Sequence, residues 1–410
     1  MQGSEVVVTG LGATTPLGGD AASTWAALLA GESGLRDEAA GLLAGIELPV
    51  TTAAAMAVDP ADRMPPVKAR RLDRSQQAAL VAAAEAWADA GSPSPDPDRL
   101  AVAIGTGIGG VRTLLQQDDV LESAGARRVS PRTVPMLMPN GSAALVSIEY
   151  GARAGCYSPV SACSSGAEAI ALGARLIRSG EADVVIAGGT EAAITPLTIA
   201  GFAQAAAVSR YEGDTASASR PFAADRDGFV LGEGAAVVVL ESAEHAAARG
   251  AQVHAVLAGA GIASDAHHIT APAPDGSGQI TAMRKALGQA GIAPGEISHV
   301  NAHATGTTVG DAAEARAIGE VFGTGIPVTA PKASLGHLVG AAGAVEALIA
   351  ILSVEHDVIP PTRNLDDSPI DPDIELDVVT AQRKAPQHAV LSNSFGFGGQ
   401  NVSLIFTKRG

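Results

Sequence analysis

The 410-residue sequence contains only two cysteines, Cys156 and Cys163, too few to serve as a disulfide framework in a chain of this size. A reducing compartment fits better. Aromatic residues make up only 3% although hydrophobic residues reach 47%, so a large interior must be built from Ala, Val, Leu and Ile. The 48 glycines let backbones approach one another closely. Positive charge is scarce: 27 Lys and Arg against 43 Asp and Glu give a formal net charge of -16. That balance argues against nucleic acid or an anionic membrane as partner, because both are repelled at long range. The opening MQGSEVVVTGLG has neither the basic region nor the apolar run of a signal peptide. The best apolar run, AAGAVEALIAIL, is interrupted by Glu346 and falls short of the roughly 20 residues of a membrane span. The expectation is a soluble, cytoplasmic protein.

A chain this long usually divides its interior between two core units. Short β-rich runs (EVVVTGLG, LAVAIGTG, ADVVIAGG, AAVVVLES) alternate with Ala-rich segments of helical length such as GAEAIALGARLIRSG, the pattern of an α/β protein. Strands such as VVIAGG are apolar without alternation, as expected where helices cover both faces of a sheet. The second half repeats features of the first. HAVLAGAG reopens like EVVVTGLG, ISHVNAHATG parallels DRLAVAIGTG, and SSGAEAIALG after Cys163 matches LVGAAGAVEAL after His337. Two similar halves, 1–250 and 251–410, are expected to pack as layered sheets with helices between them.

Cys163 follows a short strand-like piece and precedes small residues and a long helical segment, which places it at a helix N-terminus. Unpaired N–H groups and the helix dipole there favour an anion, so a lowered thiol pKa and a nucleophile without a dedicated base are expected. Cys156 is read instead as a small buried hydrophobe. Of nine histidines, His303 ends an apolar strand before a Thr/Gly loop, and His337 precedes a helix of small residues. Neither position resembles a core-filling face. One Cys with one His would suit a protease dyad. Two neutral imidazoles in glycine-rich loops can both donate to one developing oxyanion, which is what an enolate formed from a malonyl thioester requires.

Taken together, SACSSGAEAI, NAHATGTTVGD, PKASLGHLVGAAGAVEA and NSFGFGGQN resemble the thiolase-fold condensing enzymes, most closely the elongating β-ketoacyl-[acyl-carrier-protein] synthases, over essentially the whole chain. The resemblance implies a five-layer αβαβα fold of two duplicated halves, a homodimer, and an acyltransferase that extends an acyl chain held on Cys163 by two carbons from malonyl carrier protein. It implies no metal and no tightly bound cofactor, only the phosphopantetheine arm delivered by acyl carrier protein. It further implies an oxyanion hole from the backbone N–H groups of Cys163 and Phe397, polarisation of the malonyl thioester by His303 and His337, and an electrostatic role for Lys332 supported by Glu346. Thr305 and Thr307 match hydroxyls that contact the arm, their alternative being local turn bonding. Ile108 and Phe202 fall where the acyl tunnel is lined, or in plain core packing, and Phe397 falls at its gate. The sequence departs from the family pattern at Ala304, where Gly is common, and Thr308, where Pro is common.

GTGIGG at 105–110 formally matches a dinucleotide-binding fingerprint but lacks the second strand with its acidic residue. Asp265, His267 and His268 form a conceivable metal cluster, but adjacent histidines in an extended loop point opposite ways. For docking an acidic carrier protein the candidates are Arg70, Arg71, Arg127 and Arg128, with a merely solvated charged face as the alternative. Fatty acid synthesis is the leading pathway. A ketosynthase of an aromatic polyketide pathway, or a non-catalytic synthase subunit, is the alternative.

Overall fold

In the computed structural model, residues 4–409 are described. The main strands are β1 (Val6–Thr14), β2 (Leu100–Gly105), β3 (Gly155–Tyr157), β4 (Val184–Glu191), β5 (Gly234–Ser242), β6 (Ala255–Ser264), β7 (His299–Asn301), β8 (Pro327–Thr329), β9 (Asp377–Val378), β10 (Ala389–Gly396) and β11 (Gln400–Thr407). The helices that position the site are α1 (Arg74–Asp89), α2 (Val111–Ala124), α3 (Thr133–Leu137), α4 (Gly141–Tyr150), α5 (Ser165–Arg178), α6 (Ser277–Ala290), α7 (Thr308–Phe322) and α8 (Ala342–His356).

The strands run in the order β9-β8-β7-β10-β11-β6-β1-β5-β4-β2-β3. Within it, β3-β2-β4-β5-β1 and β8-β7-β10-β11-β6 have the same connectivity and the same sequence of parallel and antiparallel pairings. They meet through a short antiparallel pairing of β1 with β6, Val7↔Val256 and Val8↔Ala255. The duplication suggested by the sequence is therefore one of topology. It extends to side chains. A Cβ on Gly10 or Gly12 of β1 would lie 2.1 Å from a carbonyl oxygen of α1, and one on Gly259 or Gly261 of β6 would lie 2.2 or 1.9 Å from a carbonyl oxygen of α6. Only glycine permits so close a helix-on-strand approach.

Both faces of each half-sheet are covered, which explains the unbroken apolar strands. In β2, Leu100, Val102 and Ile104 join the cluster beneath α1, whereas Ala101 and Ala103 face the cluster around α5 and α8. On the other side, Leu391 and Ile405 pack with Met283 and Leu287 of α6, while Val390, Leu404 and Phe406 face α8. Helices α5 and α8 pack against each other between the two half-sheets, giving the five-layer αβαβα arrangement. The segment Val339–His356 is long and apolar enough by composition to cross a membrane, yet it is 89% buried inside the protein: it is the central core helix, with Glu346 buried in it.

At the far end of the first half, β3 is a sheet edge with no outer neighbour among the described residues. Beside it α2, α3 and α4 pack in series and, with the strand's approaches, leave Leu114, Leu121, Val134, Met138, Ile148 and Val160 exposed. Cys156 lies on this edge strand and is exposed, so its expected burial is corrected: the edge strand has no partner to cover that face.

Candidate active site

Cys163 sits in a single 3-10 turn, Ala162–Ser164, that leads into α5. The turn is held sharply. Ala162 has φ +50, a left-handed conformation that costs a non-glycine residue of order 1–3 kcal/mol. The Ser165 hydroxyl accepts from Ser161 N at 3.0 Å and donates to Ala162 O at 2.7 Å, and the Ser164 hydroxyl anchors the turn to the β10–β11 hairpin through Ser394 O (3.0 Å) and Gln400 O (2.6 Å). Gly396 makes the hairpin's approach possible, since a Cβ there would lie 2.6 Å from Ser161 O and 3.1 Å from Cys163 N. The backbone N–H groups of Phe397 and of Cys163 itself favour the thiolate form of the Cys163 sulfur.

The two imidazoles reach the same spot from the other half. His337 Nε2 lies 2.9 Å from Cys163 Sγ, and the His303 and His337 rings meet edge-on with centroids 5.4 Å apart. Burial and the Lys332 ammonium hold both pKa values well below the usual histidine range, with His337 adding to the effect on His303; both rings are neutral. Lys332 is 1% exposed and donates to His303 O at 2.5 Å, to His303 Nδ1 at 3.3 Å, and to Glu346 in a buried ion pair. An ammonium has only donors, so Nδ1 of His303 must be the acceptor and its proton sits on Nε2. That ring is fixed as a hydrogen-bond donor. Among the described residues no atom bonds His337 Nδ1, so His337 can accept at Nε2 from a thiol in one step and donate from it in another.

The thiol departs from expectation. Burial pushes Cys163 up to about 11, and Lys332 and the two backbone N–H groups only partly offset this. A dipole at a helix end acts through solvent-screened partial charges, whereas removal from water penalises the whole thiolate. Resting Cys163 is a thiol hydrogen-bonded to the His337 ring, and a dedicated acceptor lies beside it after all. The cluster of Cys163, His303 and His337 also has the composition of a metal site, with ligand atoms within 4.8 Å of one another. The Lys332 ammonium opposes that use, because it repels a cation and leaves His303 Nε2 without a lone pair to offer.

These groups open into a cavity of about 560 Å³ lined by Ile108, Phe202, Phe397, Thr305 and Thr307 as well as the Cys and both His. The Thr305 and Thr307 hydroxyls are 3.0 Å apart. Phe202 packs edge-on with Phe229, and Phe229 with His337, each at 5.2 Å between centroids. Ala304 donates its N–H to Glu314, and Thr308 begins α7 with its carbonyl accepting from Arg226, so both departures from the family pattern are accommodated. Arg70, Arg71, Arg127 and Arg128 lie outside the cavity, all exposed, and none is ion-paired among the described residues, whereas nearby Lys68 pairs with Glu149.

Three buried carboxylates escaped the sequence reading. Glu314 on α7 accepts from the N–H of His303 (2.8 Å) and Ala304 (2.7 Å). Asp311, one turn earlier, accepts from Phe222 N (2.8 Å) and Gly306 N (3.1 Å). The D-x-x-E spacing just after the His303 loop puts both on one helix face and is the signal that was available. Glu191, at the end of β4, accepts from Thr106 Oγ1 (3.1 Å), Gly107 N (2.7 Å) and Gly340 N (3.1 Å). Its carboxyl group occupies the loop that formally matched a dinucleotide-binding fingerprint. Asp265 bonds Asn401 and Ala273 instead of a histidine, and His268 bonds within its own loop.

Two family models match the chain: Beta-ketoacyl synthase, N-terminal domain, over residues 3–246, and Beta-ketoacyl synthase, C-terminal domain, over residues 254–366. The chain is 47% identical over 404 residues to 3-oxoacyl-[acyl-carrier-protein] synthase 2 of Mycobacterium tuberculosis, covering 98% of this chain and 96% of the relative. It is 40% identical over 418 residues to the protein of the same name from Synechocystis, covering 100% and 99%. Among solved structures it is similar to a beta-ketoacyl synthase from Burkholderia phymatum (TM-score 0.90, 36% identity, 99% and 100% covered). A type II polyketide synthase acyl-carrier protein in complex with its ketosynthase also matches (TM-score 0.90, 30% identity, 100% of both chains).

Proposed function

Because the chain belongs to the beta-ketoacyl synthase family, we propose a full cycle for it: a 3-oxoacyl-[acyl-carrier-protein] synthase that extends acyl chains by decarboxylative Claisen condensation in fatty acid synthesis. In the first half-reaction Cys163 attacks the acyl thioester of the carrier's phosphopantetheine arm. The thiol proton passes to His337 Nε2 and then to the departing arm thiolate, while the N–H groups of Cys163 and Phe397 stabilise the carbonyl oxyanion. In the second, malonyl thioester loses carbon dioxide. Its enolate oxygen is held by the N–H of His303 and of His337, and its carbon attacks the acyl carbonyl on Cys163. The new carbon–carbon bond forms as the carbon–sulfur bond breaks, and the cysteine thiolate takes up a proton from solvent, the one proton consumed in the overall reaction.

One observation carries this reading: Lys332 fixes His303 as a donor facing the cavity where Cys163 and His337 already touch. Lys332 and Glu346 act electrostatically, Thr305 and Thr307 receive the arm, Ile108 and Phe202 line the acyl channel, and Phe397 gates it. The identity of 47% over 98% of the chain to a fatty acid enzyme favours that pathway over the polyketide alternative. The free edge of β3 with its apolar surround supports a homodimer formed across it. The halves of this proposal are 1–250 and 251–410, supported by the pairing of β1 with β6 between them. Arg70, Arg71, Arg127 and Arg128, with no acidic partner of their own, form the face for an acidic carrier protein, and the site of action is the cytoplasm.

The test is malonyl carrier-protein decarboxylation in two variants. Cys163→Gln, which mimics an acylated thiol, retains carbon dioxide release without condensation, whereas His303→Ala loses it while still being acylated. Full condensation by His303→Ala would remove its assigned role.

A further inference from the structure

Glu191 is completely buried, and among the described residues no Lys, Arg or His bonds it. Its donors are neutral: Thr106 Oγ1 on one oxygen, and Gly107 N and Gly340 N on the other, with the N–H of Ile108 also favouring the charged form. A buried carboxylate without a cationic partner is costly and is retained where it does something a neutral residue cannot. Its donors come from two segments that flank the reacting groups. Gly107 and Ile108 form the cavity wall, and Gly340 follows His337 by three residues.

The packing leaves these segments little freedom. A Cβ on Gly340 would lie 2.2 Å from Gly107 N, and one on Gly107 would lie 2.8 Å from Val339 Cγ1, 2.9 Å from the Glu191 carboxylate and 3.5 Å from Ala162 O. Thr106 Oγ1 also accepts from Gly109 N at 3.1 Å, closing the wall into a tight turn. Two residues here are in the left-handed region, Ala162 (φ +50) beside the nucleophile and Val339 (φ +46) beside Gly340. Strained turns of this kind persist where their surroundings over-determine them.

We propose that Glu191 is a positioning residue for the condensation: its one carboxylate ties the acyl-channel wall at Gly107–Ile108 to the segment after His337 and keeps a negative charge behind the Cys163 turn. The charged groups acting on Cys163 are then Lys332, which favours the thiolate, and Glu191, which opposes it, with His303 and His337 neutral. Burial raises Glu191 itself to about 7, in keeping with a carboxylate that lacks a counter-ion.

The inference rests on the condensing-enzyme reading, so the experiment uses one readout that needs no carrier protein. In Glu191→Gln, Cys163 alkylation by iodoacetamide is followed against pH, and condensation is measured separately. The expected result is an alkylation midpoint lower by about one pH unit or more, since a like charge has been removed, together with condensation slowed roughly ten- to a hundredfold because the His337 segment is no longer held. Thr106→Val, which withdraws one donor from the carboxylate and the acceptor of Gly109 N, slows condensation by less than Glu191→Gln, and it carries the test if Glu191→Gln does not fold. An unshifted midpoint in Glu191→Gln, or undiminished condensation by the folded variants, overturns the proposal. Failure of the wild-type enzyme to be acylated overturns the condensing-enzyme reading instead.

Discussion

Replacing Lys332 by Met separates the chemistry of the site from its stability. The ammonium is buried with three bonds, two to His303 and one to Glu346. Its loss leaves Glu346 as an unpaired buried charge, which costs about 3–5 kcal/mol of stability. It also releases His303 from the tautomer with its proton on Nε2. An oxyanion donor no longer held in place is worth roughly 10²–10³ in rate, so decarboxylation should fall by that factor. Substituting the partner as well, Lys332→Met with Glu346→Leu, removes the stranded charge and should recover most of the stability without recovering the rate. Because Lys332 also favours the Cys163 thiolate, the pH midpoint of Cys163 alkylation should move upward in both variants. Carbon dioxide release from malonyl carrier protein, thermal unfolding and alkylation rates are the assays. A double variant that is stable and decarboxylates at the wild-type rate would refute the tautomer argument.

Reversing Arg127 and Arg128 to Glu should raise KM for acyl carrier protein at low salt and leave kcat for a pantetheine thioester unchanged; an unaltered KM removes this patch from the docking face. His254 bridges Asp89 and Glu355 at 2.9 Å each; burial opposes its charge, but the two carboxylates prevail and raise it to about 9. A folded pKa above the unfolded value near 6.5 gives stability that is complete below that value and is lost as pH rises through about 9. His254→Gln should therefore cost about 1–2 kcal/mol at pH 6, discounted for the partly exposed partners, and nearly nothing above pH 10, as read by denaturant unfolding. A cost that does not vary with pH contradicts the assignment.

The fold was legible where local pattern and tertiary role agree. The apolar strands, the glycines of EVVVTGLG and HAVLAGAG, and the small-residue helices after Cys163 and His337 each signal close packing wherever they occur, and the topology uses them in matched pairs. Cys163, His303 and His337 stood out because their neighbourhoods are unlike core faces, whereas Lys332 was reached only through the family resemblance. What escaped depends on distance in space. Glu191 joins residues 106–108 to Gly340, and nothing in its own neighbourhood announces a carboxylate that will be buried. The thiol pKa failed for a related reason: the helix end was readable, but the desolvation that outweighs it belongs to the assembled site. Cys156 was misjudged because a strand at a sheet edge has the same local sequence as one in the middle.

The most direct measurement is the intact mass of the protein after incubation with acyl carrier protein, followed by peptide mapping of the adduct. A single acyl group on Cys163, absent in Cys163→Ala and released when malonyl carrier protein is added, is the predicted outcome. No adduct, or one on Cys156 that malonyl carrier protein cannot discharge, would contradict a shared site for the thiol and the two imidazoles.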